Sequence, residues 1–264
     1  DILLTIDAPE FCFRVAKRVK YLNKNIPIAH YVAPTVWAWR PKRAKKISHF
    51  IDHVLALFPF EPKYFHDVGL SCDFVGHPIV SESKASDENV AELIKEFSLK
   101  DDPIVLCLPG SRKSEVDRLM PVFNDVSSML ISQRLNIRLV IVVAPAVEHI
   151  VVENLQRWGN NIIVVTKDDL SSNDFQKLKR VVFASCDIAL AASGTVSLEL
   201  ASTETPMVIA YDMGFLSRLV FRLLVSVKSV NLVNLISEQH TIPEFIGSNC
   251  KPDKIFQALL NQLE

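Results

Sequence analysis

The sequence predicts an α/β protein with two Rossmann-like domains, each built on a parallel sheet. Short, fully apolar, β-branched runs alternate with helical patterns along the 264 residues. Such strands are typical of parallel sheets that are covered on both faces. The polar, Ser-rich stretch "HPIVSESKASDEN" interrupts the alternation and predicts a linker. We therefore expect a partial first domain over residues 1–80 and a second over 81–264, facing each other across a cleft.

The first domain starts directly in a strand. The run "ILLTI" precedes a helical pattern over residues 10–22, and "IAHYV" leads into a Pro/Trp loop and a basic helix over 42–50. "HVLALF", a short helix over 61–65 and "CDFVG" follow. Because Asp1 stands immediately before a strand, we expect that an N-terminal segment of this domain is missing.

The second domain repeats the alternation. "PIVLCLPGS" precedes a helix over residues 114–133, and "IRLVIVVAP" precedes one over 147–158. The strands "IIVVT", "DIALAAS" and "PMVIAY" follow, separated by helical segments. The last helix is a candidate to pack back on the first domain.

Composition narrows the classes of function. The net charge is −1, which does not favour nucleic acid as a partner. Only 7 glycines occur, without a G-x-G-x-x-G dinucleotide motif. The five cysteines and seven histidines lack metal-ligand spacing, so we expect buried, reduced thiols, no metal and no cofactor. No apolar run reaches the ~20 residues that span a bilayer.

Three loops that follow strands carry candidate chemistry. In "IDAPEF", Asp7 ends a strand and is a candidate general base, with N-capping of the next helix as the alternative. In "LPGSRKSEV", Gly110, Ser111 and Arg112 precede a helix that Ser114 can cap, and this start with its guanidinium suits a phosphate. The alternative is an ordinary connection with a surface Arg.

The third loop is "AASGTVSLELA". Ser193, Gly194 and Thr195 open a helix whose free amides suit a second phosphate, and Glu199 lies one turn on, where it can accept hydrogen bonds from a ribose diol. The alternative is capping plus a solvated Glu. Two anion-binding helix starts with a carboxylate predict a nucleoside diphosphate, and the absence of a D-x-D pair disfavours a metal bridge.

Two segments predict a membrane contact. Residues 213–228 are amphipathic and basic, which is typical of an interfacial helix, with a core-facing helix as the alternative. "VAPTVWAWRPKRAKK" places tryptophans beside cations, a mixture that suits anionic headgroups. The predicted contacts are Trp37, Trp39, Arg40, Phe215, Leu216, Arg218, Leu219 and Arg222.

Six segments, in this order, resemble the lipid-A-disaccharide synthase family. They are "IDAPEF", "HYVAPTVWAWRPKR", "LALFPFE", "FVGHP", "LPGSRKSEV" and "ASGTVSLE". The resemblance implies a GT-B fold and an inverting, metal-independent glycosyl transfer from UDP-2,3-diacylglucosamine to 2,3-diacylglucosamine 1-phosphate (lipid X). It also implies a cytoplasmic enzyme that is peripheral on the inner membrane, and a homodimer is compatible with it.

The resemblance assigns roles to individual residues. Asp7 matches the family's general base, and Asn234 in "NLVNLI" matches an Asn near the donor site. The chain departs from the family in lacking the first strand and its loop, and in having Asp212 and Gln239 where basic residues are common. These departures leave two rivals: a truncated or degenerate homologue that binds UDP or lipid without turnover, and a GT-B UDP-sugar 2-epimerase.

Overall fold

The computed structural model describes residues 1–38, 42–97, 102–133, 137–156, 158, 162–168, 170–214 and 229–263. The described chain divides into two units, the first ending at Ser81 and the second beginning at Glu82. Each unit has its own parallel sheet. Residues 215–228 of the predicted interfacial helix, including Phe215, Leu216, Arg218, Leu219 and Arg222, lie outside the described residues, as do Trp39 and Arg40.

The first unit is a four-stranded parallel sheet with strands in chain order. Thr5 in the first strand is in register with His30 in the second. Each predicted strand and helix of this unit is present, although the basic helix ends three residues earlier than predicted. The elements are β1 (Leu3–Ile6), α1 (Pro9–Leu22), β2 (Ile28–Tyr31), α2 (Lys42–Ile47), β3 (His53–Ala56), α3 (Pro62–His66) and β4 (Ser71–Phe74).

The second unit is a six-stranded parallel sheet in the order β10-β9-β8-β5-β6-β7. Its strands are β5 (Ile104–Leu108), β6 (Arg138–Val142), β7 (Ile162–Val165), β8 (Ile188–Ala192), β9 (Met207–Tyr211) and β10 (Glu244–Ile246). Its helices are α4 (Asp87–Glu96), α5 (Lys113–Ser132), α6 (Glu148–Leu155), α7 (Ser172–Ala184), α8 (Val196–Ser202), α9 (Leu232–Ser237) and α10 (Pro252–Leu263).

Both faces of this sheet are buried. Along β5, Val105 and Cys107 pack into one core together with α5 and α10, whereas Leu106 and Leu108 pack into a second core with α7. This alternation explains why the strands read as continuous apolar runs. The buried face of α10 therefore contributes to the core of the second unit.

Three features were not predicted in this form. The end of the predicted linker is the first turn of α4, where the Ser86 hydroxyl accepts from the Asn89 amide at 3.2 Å. Strand β10 has only three residues, which is too short for a periodic pattern. Helix α5 begins at Lys113, with Arg112 rather than Ser114 at the N-cap.

The thiols follow the prediction. None of the five cysteines forms a disulfide, and four of them are buried. Burial raises the pKa of Cys72 and of Cys107 to about 12, so both thiols are protonated at neutral pH. In the described part of the chain, no helix is long and apolar enough to cross a bilayer.

Candidate functional site

The predicted base, Asp7, stands on a turn between β1 and α1. Its side chain is exposed and makes no hydrogen bond or ion pair with the described residues. The N-cap of α1 is Ala8, and no side chain of the described residues caps this helix. The N-capping alternative for Asp7 is therefore wrong, and the carboxylate is left accessible to a ligand.

The backbone of this turn is strained. Asp7 and Ala8 have φ angles of 47° and 40°, and Val32, at the end of the neighbouring strand β2, has 73°. A left-handed conformation costs a non-glycine residue about 1–2 kcal/mol. The turn is held by a bond from the Asp7 amide to the Tyr31 carbonyl at 3.0 Å and by the fixed φ of Pro9. Strain of this kind concentrates at functional sites.

A buried histidine lies on the neighbouring strand. His30 is fully buried, and its ring packs 4.8 Å from that of Phe13. The Thr5 hydroxyl donates to the Ala29 carbonyl, so it accepts from His30 Nδ1 at 2.8 Å and fixes the tautomer. His30 Nε2 has no hydrogen-bond partner among the described residues. Burial lowers the pKa of His30 to about 4, opposed by the Asp7 carboxylate, so the ring is neutral at pH 7.

Trp37 belongs to the interior of the first unit. It is 9% exposed, and its indole nitrogen donates to Glu61 Oε1 at 3.3 Å. Glu61 Oε2 accepts from the amides of Leu57 and Phe58, each at 3.0 Å. Burial raises the pKa of Glu61 to about 7. This position leaves Trp37 little surface with which to contact a membrane.

The second unit contains a cavity of about 400 Å³ at the carboxyl ends of its strands. The chain runs from β5 out to β7 and returns to β8 on the other side of β5. Ligands of doubly wound sheets bind at such a point of reversal. The cavity brings together seven residues predicted from sequence, namely Gly110, Ser111, Arg112, Ser193, Gly194, Thr195 and Glu199.

The start of α5 differs from the prediction of a free anion site. Glu115 folds back so that its Oε2 accepts from the amides of Ser111 at 3.1 Å and Arg112 at 3.3 Å. Its Oε1 accepts from Arg112 Nη1 at 2.7 Å. The amides of Ser111 and Arg112 are therefore occupied by a carboxylate, whereas the Arg112 side chain is 76% exposed and can turn to an anion.

The start of α8 does leave backbone donors available. The Ser193 hydroxyl donates to the Val230 carbonyl at 3.2 Å, which fixes the loop. Within the described part of the chain, the amides of Gly194 and Thr195 donate to no acceptor, and both residues are exposed. Both residues line the cavity, and their unoccupied amides suit an anionic oxygen.

Sequence reasoning missed Lys179. This residue comes from α7, lines the cavity and forms an ion pair with Glu199. Nothing in its sequence neighbourhood distinguishes it from the exposed Lys177 two residues before. Only the packing of α7 beside α8 brings the ammonium group to the carboxylate.

Asn234 does not line the cavity. Its Nδ2 donates to the Ile242 carbonyl at 2.9 Å and to Glu244 Oε1 at 2.6 Å, and its Oδ1 accepts from the Ile242 amide at 3.0 Å. The residue is buried, and its polar atoms are used within the protein. Its role in the structure is to tie α9 to the segment that enters β10.

Comparison with solved structures identifies the class of fold. Anabaena HepE in complex with UDP and glucose aligns with a TM-score of 0.60 at 14% identity, over 99% of this chain and 68% of that chain. The UDP-GlcNAc 2-epimerase from Methanocaldococcus jannaschii aligns with a TM-score of 0.60 at 14% identity, over 100% of this chain and 70% of that chain. The chain therefore has the Rossmann-like GT-B fold, as predicted.

Comparison of sequences identifies the family. The model of the lipid-A-disaccharide synthetase family matches residues 1–264. The lipid-A-disaccharide synthase of Ruegeria pomeroyi is 46% identical over 98% of this chain. The chain belongs to this family, and it spans 64% of the length of that relative.

The conformation of Gly110 supplies a test of the α5 start. Its φ is 114°, and an added Cβ would lie 2.7 Å from Glu115 Oε2. We expect Gly110→Ala to lower the free energy of unfolding by about 1–3 kcal/mol in urea titrations. Gly194→Ala is the matched control, because no atom of the described part of the chain lies within 4 Å of its added Cβ. Equal stability of the two variants would contradict the assigned packing.

The buried His30 predicts a pH dependence. An unfolded histidine has a pKa near 6.5 and folded His30 about 4, so the unfolded chain binds more protons between these values. His30 therefore lowers the free energy of unfolding as the pH falls through this range, by at most ~3 kcal/mol. Urea titrations across the range should show a smaller acid-dependent loss for His30→Asn than for the wild type. The exposed His49→Asn should keep the wild-type profile, and identical profiles for His30→Asn and wild type would refute the effect.

Proposed function

We propose that the protein containing this chain is an inverting glycosyltransferase of lipid A biosynthesis. It transfers diacylglucosamine from UDP-2,3-diacylglucosamine to lipid X, and gives lipid A disaccharide 1-phosphate and UDP. Membership of the lipid-A-disaccharide synthetase family supports this activity. The observation that carries the proposal is the exposed Asp7 carboxylate, without an internal partner in the described chain, on a strained turn.

In the proposed reaction Asp7 is the general base. Its carboxylate takes the proton from the primary hydroxyl of lipid X as that oxygen attacks the anomeric carbon of the donor. The bond to the diphosphate breaks on the opposite side, which inverts the configuration. The strained turn fixes the backbone that carries the carboxylate, and the neutral His30 places no competing positive charge beside it.

The cavity of the second unit is the proposed donor site. Its volume of about 400 Å³ is in the range of small-molecule sites. Arg112 and the amides of Gly194 and Thr195 would hold the diphosphate as negative charge develops on it. Glu199 would accept from the ribose hydroxyls. HepE, which shares this fold, is described in complex with UDP and glucose, and this supports a UDP-sugar as ligand.

We further propose that the protein is cytoplasmic and peripheral on the inner membrane, as two acylated substrates require. The exposed cations of α2, Lys42, Lys45 and Lys46, support contact with anionic headgroups. Arg43 of the same helix is engaged elsewhere, with Glu10 at 2.7 Å. A homodimer remains part of the proposal, and nucleic acid does not.

The direct test follows UDP release from UDP-2,3-diacylglucosamine with lipid X. It compares this chain with the same chain extended by the N-terminal segment of the Ruegeria pomeroyi relative. Acceptor-dependent UDP release by either protein supports the proposal. UDP binding by both without turnover would favour a homologue that only binds, and acceptor-independent epimerisation of a soluble UDP-sugar would favour a 2-epimerase.

Asp7→Asn should lower kcat for transfer by about 10²- to 10⁴-fold and leave UDP affinity unchanged, because the base acts in the chemical step. Asparagine tolerates the left-handed conformation, so the turn is retained. The measurement is transfer kinetics together with UDP titration. Asp67→Asn, an exposed carboxylate after α3, is the control, and near-normal transfer by Asp7→Asn would rule out the role.

Arg112→Ala should weaken UDP binding by about tenfold or more, because a charge-assisted contact to phosphate is lost. Its free energy of unfolding should change by less than about 1 kcal/mol, since the side chain is 76% exposed. Calorimetric titration with UDP measures the first effect and urea titration the second. Lys113→Ala is the control, because the Lys113 ammonium pairs with Asp117 at 2.9 Å and lines a different cavity. Wild-type UDP affinity in Arg112→Ala would refute the phosphate contact.

A further inference from the structure

Two ion pairs line the cavity, and they differ in whether the carboxylate keeps other hydrogen bonds when the pair opens. Arg112 pairs with Glu115, and Lys179 pairs with Glu199. If the Arg112 guanidinium turns to a ligand, Glu115 keeps its bonds from the backbone amides of Ser111 and Arg112. Opening this pair therefore leaves no buried group without a partner.

In the second pair, neither charged group has other hydrogen bonds within the described residues that would remain when the pair opens. The side chains of Lys179 and Glu199 are 16% and 24% exposed, and no other hydrogen bond to either charged group is present in the described part of the chain. The Lys179 ammonium also lies 5.5 Å from the centre of the Phe183 ring, which contributes no acceptor oxygen. A ligand that opens this pair must supply donors to the carboxylate and an anion to the ammonium.

The chemistry that meets both requirements is a ribonucleoside diphosphate. Its vicinal hydroxyls are donors for a carboxylate, and its phosphate oxygens are acceptors for an ammonium group. A nucleoside without phosphate meets only the first requirement, and inorganic pyrophosphate meets only the second. The intact ion pair therefore disfavours either half of the ligand when it is offered alone.

We propose that Lys179 is a further ligand-binding residue of this cavity, which exchanges Glu199 for an anionic oxygen of the nucleotide while Glu199 receives the ribose hydroxyls. This inference rests on the proposed function, and it adds a residue and an exchange of partners to the donor site. It makes the pair a determinant of specificity, because only a ligand that carries both groups replaces both halves of it.

The test is calorimetric titration of this chain with UDP, uridine and inorganic pyrophosphate. Lys179→Met should weaken UDP binding by about tenfold to a hundredfold, since a contact to a charged group is lost. Its affinity for uridine should be unchanged or higher, because Glu199 is released. Glu199→Gln should bind pyrophosphate more tightly than the wild type, because Lys179 is released.

Two controls separate this role from a structural one. Lys177→Met alters the same helix, where Lys177 is 61% exposed and lies 3.7 Å from Asp174, and it should leave all three affinities unchanged. Lys179→Arg keeps the charge and should retain part of the UDP affinity. If Lys179→Met loses UDP and uridine affinity in parallel, Lys179 only supports the site, and the inference is wrong.

The remaining outcomes distinguish this inference from the proposed function. Wild-type UDP affinity in Lys179→Met overturns the exchange and leaves the donor site standing. No UDP binding by the wild-type chain overturns the donor site, and the inference with it. A fall in pyrophosphate affinity for Glu199→Gln also overturns the exchange, even if Lys179→Met fails to fold.

Discussion

The burial of a parallel sheet on both faces is the constraint on which the rest of the second unit depends. Helices α5 and α10 cover one face and α7 and α8 the other, so neither face can carry polar chemistry. Polar groups are then confined to the ends of the strands. Because the chain reverses direction around β5, the loops after β5 and β8 diverge, and the space between them becomes the cavity.

The charged side chains that line this cavity form ion pairs with one another. Each carboxylate that lines it is paired with a cation, and the two cations come from different elements. Without a ligand the site therefore contains no isolated buried charge, which would be costly. The same pairing places a cation and a carboxylate where a ligand can bind them. The two pairs differ in whether backbone amides still bind the carboxylate after the pair opens.

The candidate site of the first unit depends on backbone strain rather than on ion pairs. Three left-handed non-glycine residues, Asp7, Ala8 and Val32, lie at the carboxyl ends of adjacent strands. The sheet and the first turn of α1 fix the backbone on both sides and so stabilise these unfavourable conformations. The result is an exposed carboxylate on a fixed backbone, next to a strand whose His30 is held neutral by burial.

The sequence by itself determined the alternating fold, the four buried thiols and the loops that meet at the cavity. These features depend on local signals: apolar runs, polar linkers and the residues that follow each strand. Strand β10 and the start of α4 were harder to predict from the sequence, because a three-residue strand and a polar first turn have little periodicity.

Only the tertiary structure decided which groups of the site are occupied. Glu115 occupies two of the amides that the loop motif offers to an anion, and Lys179 reaches Glu199 from another helix. Asn234 binds the segment that enters β10. The aromatic and basic neighbours of Trp37 in the sequence suggest a surface residue, but Trp37 is buried against Glu61. A motif specifies the donors and acceptors along the chain, but whether they are free depends on partners that packing brings from distant positions.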